Sequence, residues 1–221
     1  MFEREQPGPP TNEPQPRFLE LLAVVAIGTA HVSIEIATSV AVTRAFNVAA
    51  GIGLTVYLFW RAATVKGILR SWGMRRDNFW QALGVQLVFG VLAAACLTLL
   101  GLANGTVPLP RTFWIVCVSY PLFGIAQQFV LQNLITRNLA TFVRRRVLLA
   151  FASALLFALS HIPRMSLTIL ALIAGFFLTF IYQRHPNLWA VGIVHGILAG
   201  LAFYVVLQQD PGARILEFLM R

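Results

Sequence analysis

Apolar runs about twenty residues long, separated by short clusters rich in Arg, Gly and Pro, leave this chain few folds to choose from. Backbone N–H and C=O groups in hydrocarbon must find partners inside their own segment, so each run is expected to be a helix crossing the bilayer. The runs lie near Phe18–Val42, Ala45–Val65, Phe79–Leu102, Phe113–Thr136, Val147–Ile162, Met165–Tyr182 and Leu188–Leu207. They predict an all-α fold, a polytopic transmembrane helix bundle of about seven spans. Charged residues are 11% of the 221, against about a quarter in a soluble domain, which agrees.

The net charge of +9 is not spread over a surface. Arg61, Lys66, Arg70, Arg75 and Arg76 follow the second run, and Arg137 with Arg144, Arg145 and Arg146 follows the fourth. Both clusters then fall on one side. Loops rich in Lys and Arg stay in the cytoplasm, which puts the N-terminus inside and excludes nucleic acid as the partner. The bilayer itself is the first partner. Trp60, Trp72, Trp80, Trp114 and Trp189 sit near span ends, where indole prefers the headgroup boundary. Residues 1–17, rich in Pro, Glu and Gln, read as a disordered cytoplasmic tail, 18–209 as the bundle and 210–221 as a short C-terminal tail. Cys96 and Cys117 have no spacing that suggests a metal knuckle or a disulfide framework.

Polar groups inside the runs mark the interior. The stretch Tyr120–Asn138 carries Gln127, Gln128, Gln132 and Asn133, and amides in hydrocarbon cost several kcal/mol each without partners, so this helix faces protein. In the first run His31 and Glu35 share a helical face, and a carboxylate at that depth needs a partner. Phe157 and His161 are one turn apart, and His195 stands among Gly192, Gly196 and Gly200, a small-xxx-small run suited to close helix approach. Packing alone accounts for a single histidine or for the glutamines, whereas an ionisable pair such as Glu35 and His31 inside a membrane points to function. Together they hold the inventory of a water-activating or metal site, with imidazoles as ligands and a carboxylate as base; a divalent metal such as Zn on His161 and His195 is one form it could take. Counting 1.5 Å per residue puts His31 and His161 about 20 Å from the arginine-rich end, and Gln127 and His195 about 10 to 15 Å from it.

Over about residues 112–208 the chain resembles the CPBP intramembrane proteases, the group that includes the CAAX prenyl protease Rce1 and the bacterial Abi proteins. That family reads EExxxR on one helix, FxxxH on the next and HxxxN or HxxxD on a later one. Phe157 to His161 fits the second motif and His195 opens the third, in the context AGFFLTFIYQRHPNLWAVGIVHGILAG. Gln127 and Gln128 stand where the family has paired glutamates, Gln132 where it has the arginine, and Ala199 where it has the final Asn or Asp.

The resemblance implies a multi-pass endopeptidase of the bacterial inner (plasma) membrane acting on a membrane-bound or CAAX-type peptide or protein substrate. The departures imply an altered centre, because an amide has no basic lone pair near neutral pH. Glu35 is the carboxylate available to replace the missing base. The candidate catalytic set is therefore His161, His195, Glu35, Gln127 and Gln128, with His31, Gln132, Phe157 and Ala199 lining the cavity. The alternative is an inactive relative that binds a membrane partner in the same cavity.

Overall fold

The computed structural model describes residues 17–220. Of the expected N-terminal tail, all but Arg17 lies outside the described residues. The fold is all-helical: α1 (Phe18–Ala37), α2 (Val40–Thr64), α3 (Ile68–Ser71), α4 (Phe79–Ala103), α5 (Phe113–Phe129), a π-helical segment (Val130–Thr136), α6 (Arg137–Leu139), α7 (Arg146–Leu159), α8 (Met165–Tyr182), α9 (Leu188–Val205) and α10 (Pro211–Leu219). Among the described residues six helices are long and apolar enough to cross a membrane, α5 counting as one with the π segment and α6. The chain is a multi-pass membrane protein.

Two of the expected boundaries differ. The first break falls at Thr38–Ser39, both extended, instead of after Val42, so α2 begins at Val40. The fifth run forms only the 14-residue helix α7, which stops at Leu159. Pro163 disfavours helical backbone in the residue before it, and the Ser160 hydroxyl donates to the Phe157 carbonyl at 2.7 Å, closing the last turn early. The expected C-terminal tail contains α10, capped by the Asp210 carboxylate, which accepts from the Ala213 N–H at 2.8 Å.

The centre of the bundle is the packing of α5 on α9. A Cβ on Gly124 would lie 2.3 Å from the Gly192 carbonyl oxygen, and one on Gly196 would lie 2.3 Å from the Tyr120 carbonyl oxygen. Only glycine allows the two backbones to come this close, and van der Waals contact of this kind holds helices together where lipid offers no hydrophobic drive. Leu188, Val191 and Val205 of α9 are fully buried, whereas α1 buries only Leu21 and α2 buries none of its residues. Phe59, Val88, Leu122 and Phe151 are exposed apolar side chains on four helices, the surface expected where lipid is the solvent.

At the arginine-rich end the α3 segment is folded back onto α8 and α9. Trp72 packs edge-on against Phe129 with centroids 4.9 Å apart. Its carbonyl accepts from Asn133 Nδ2 at 3.2 Å and from the Tyr182 hydroxyl at 3.3 Å. Gly73 follows with φ of 76°, in the left-handed region, and its carbonyl accepts from the Leu188 N–H at 2.8 Å. Asn187 then caps α9 and also donates to the Arg75 carbonyl at 2.8 Å, so α9 starts from a fixed position. In the loop before α4 the Arg75 guanidinium holds the Asp77 carboxyl down at about 2.

Candidate active site

The interior of the bundle contains a cavity of about 1570 Å³ whose walls come from α1, α2, α4, α5, α7, α8 and α9. Its lining is mostly aliphatic and aromatic. The exceptions include Glu20, His31, Glu35, Tyr57, Gln127, Ser160, His161, Arg164 and His195.

Gln127 and His195 meet across the glycine seam. His195 Nε2 lies 2.8 Å from Gln127 Oε1, and since an amide oxygen only accepts, the imidazole carries its proton on Nε2 and its lone pair on Nδ1. His161 takes the opposite tautomer. Its Nδ1 lies 3.0 Å from the Phe157 carbonyl oxygen, another pure acceptor, which leaves the lone pair on Nε2. The Phe157 ring packs edge-on against both imidazoles, with centroids 4.9 Å from His161 and 6.1 Å from His195. It joins the two depths at which the histidines were expected.

Glu35 sits elsewhere on the same cavity. Its Oε2 lies 3.2 Å from His31 Nε2, and its Oε1 accepts from Arg164 Nη2 at 2.9 Å. The carboxylate is thus engaged by α1 and the α7–α8 turn. His31, Glu35, His161, Arg164 and His195 all line this one cavity, so the groups form a polar strip along its wall.

Gln128 and Gln132 lie behind the wall. Gln132 Nε2 donates to Gln128 Oε1 at 2.8 Å and to Thr179 Oγ1 at 3.0 Å, tying the helix to α8. Both glutamines are buried, and Gln128 Nε2 and Gln132 Oε1 have no partner among the described residues. Ala199 lines the cavity one turn beyond His195 and leaves room where a larger side chain would stand. Among the described residues no three His, Cys, Asp or Glu side chains group closely enough to hold a metal ion, so His161 and His195 lack the further ligands a zinc centre needs. Where the matched stretch meets the cavity, the polar groups include two fixed imidazoles and the Gln127 amide, with the Glu35 carboxylate held apart by His31 and Arg164.

A second polar group is one the sequence did not announce. Glu20 accepts from the Tyr57 hydroxyl at 2.5 Å and from Asn138 Nδ2 at 3.3 Å, while Asn138 Oδ1 accepts from the Arg17 N–H at 2.7 Å. This fastens the start of α1 at the arginine-rich end. Glu20 reads in sequence as an acidic residue in a first helical turn, which is a sufficient explanation by itself. Its partners are 37 and 118 residues away.

The family model described as type II CAAX prenyl endopeptidase Rce1-like matches residues 108–201. That stretch holds Gln127, Gln128, Gln132, Phe157, His161, His195 and Ala199, and over it the chain resembles that family; His31 and Glu35 lie outside it. No curated protein and no solved structure matches the chain.

Proposed function

We propose that this protein is a CAAX-protease-like intramembrane endopeptidase with an altered centre, in which imidazole replaces the family's carboxylate as the base. The observation that carries this reading is the pair of oppositely fixed imidazoles on one apolar cavity, both within the stretch that matches the family model. An imidazole keeps a basic lone pair on its unprotonated nitrogen, so it can take a proton from water where an amide cannot.

In this scheme a membrane-bound peptide lies in the cavity, its apolar part against the aliphatic lining. His161 Nε2 removes a proton from water as the oxygen attacks the scissile carbonyl carbon. The Gln127 amide nitrogen donates to the oxyanion that forms. Collapse of the tetrahedral intermediate breaks the C–N bond, and the proton held by His161 passes to the departing amine. His195 is a positioning residue, since its Nε2–H holds the Gln127 amide by the oxygen and turns the nitrogen outward.

The test is cleavage of a farnesylated CAAX-type peptide by the full chain in lipid vesicles, with the released tripeptide read by mass spectrometry. His161→Gln should lower turnover by about 10²- to 10⁴-fold, the usual contribution of a general base. Gln127→Ala should cost about 10²- to 10³-fold as a lost oxyanion donor. His195→Gln, which keeps a donor towards Gln127, should retain more activity than His195→Leu. No product from the unaltered chain, or undiminished product from His161→Gln, would overturn the reading.

A further inference from the structure

The α7–α8 turn stands too deep to be bathed in lipid. At 1.5 Å per residue the 14 residues of α7 rise about 21 Å, against about 30 Å for the hydrocarbon core, and the 18 residues of α8 about 27 Å. The turn between them, Ser160 to Arg164, is non-helical backbone carrying a guanidinium. Such backbone is tolerated at membrane depth only where protein buries it or water reaches it, and a charge there is costly in hydrocarbon. Protein does not bury it: Pro163 is exposed and the Arg164 side chain retains 54% of its accessible surface. On the facing helix Glu35 lies about 26 Å along α1 from Phe18, and Arg164 reaches it at 2.9 Å. Ser160, His161, His31, Glu35 and Arg164 all line the cavity on this side.

We infer that the bundle holds a water-filled vestibule between α1 and the α7–α8 turn, opening at the arginine-poor face that carries the α1–α2 turn and leading to His161. Its occupant is water. Its role in supplying the hydrolytic water rests on the function proposed above, but the vestibule itself does not. Substrate and water would then approach the imidazoles separately, the first through the apolar lining and the second along the polar strip.

Thiol accessibility tests it without reference to turnover, because a thiol reacts as thiolate and thiolates form in water, not in hydrocarbon. In the full chain with Cys96 and Cys117 replaced by alanine, Ser160→Cys and Leu155→Cys are compared in sealed vesicles of known orientation. Leu155 is an exposed, apolar position on α7 that does not line the cavity. A charged, membrane-impermeant maleimide added on the arginine-poor side should label Ser160→Cys at least about tenfold faster than Leu155→Cys, and reagent on the other side should not label it. Equal rates at the two positions, or labelling of Ser160→Cys only from the arginine-rich side, would overturn the inference. A chain that labels as expected but cleaves nothing would keep the vestibule and lose the proposed protease.

Discussion

At the scale of single residues, hydrogen-bond roles decide what the site can do. Gln127 cannot accept a proton from water, but its oxygen fixes the His195 tautomer and its nitrogen stays available as a donor. Asp210 shows the same logic with a charge. Partial burial works to raise its pKa, yet donation from the Ala213 N–H, the Thr112 hydroxyl and the Tyr204 hydroxyl outweighs this and holds the carboxyl below its ordinary value. A depressed folded pKa gives stability that is present above the unfolded value and is lost as pH falls through the folded one. The docking of α10 should therefore be unchanged near neutral pH and loosen only below the ordinary carboxyl range. Protease cutting after Arg214, followed from about pH 7 to about pH 3 with an acid-tolerant and a neutral enzyme overlapping, should show that onset. Asp210→Asn should expose the same site already at neutral pH. The matched histidines were legible in the sequence because motif spacing survives without knowledge of contacts. Glu20, Arg164 and Asp210 were not, since their roles come from partners 118, 129 and 98 residues away.

At the scale of elements, apolar length was legible and local geometry was not. Six of the seven expected runs are helices long enough to span, and the exception, α7, is shortened by a proline whose effect on depth becomes visible only beside α1. The glycine run of α9 announced a close approach, and the structure supplies its partner in Gly124 of α5. Gly196→Ala would put a methyl carbon 2.3 Å from the Tyr120 carbonyl oxygen, which is backbone and cannot swing aside. Overpacking of this kind typically costs about 1–3 kcal/mol, and here the helices themselves must separate. The expected result is a lowered melting temperature in detergent, together with weaker cleavage because Gln127 and His195 sit on the two sides of the seam. Gly53→Ala, with open space around it, is the control that should melt like the unaltered chain. The π segment had no sequence signal: Thr136 donates to the Leu131 carbonyl five residues back at 2.8 Å, a pairing that periodicity does not encode.

At the scale of the whole molecule, the basic residues define an axis. Arg61, Lys66, Arg70, Arg75, Arg76, Arg137 and Arg144 to Arg146 lie at one end of the bundle, and the opposite end has far fewer. If that end faces the cytoplasm, a cysteine at the exposed position Thr141 should react with an impermeant thiol reagent in inside-out vesicles and stay protected in right-side-out ones. The cavity crosses this axis and has two kinds of wall. The side that carries Gln127, His161 and His195 falls within the stretch that matches the CAAX endopeptidase family model, and the facing side, built by α1, α2 and α4, lies outside it. The likeness therefore speaks for the imidazoles and is silent on the wall that looks at them.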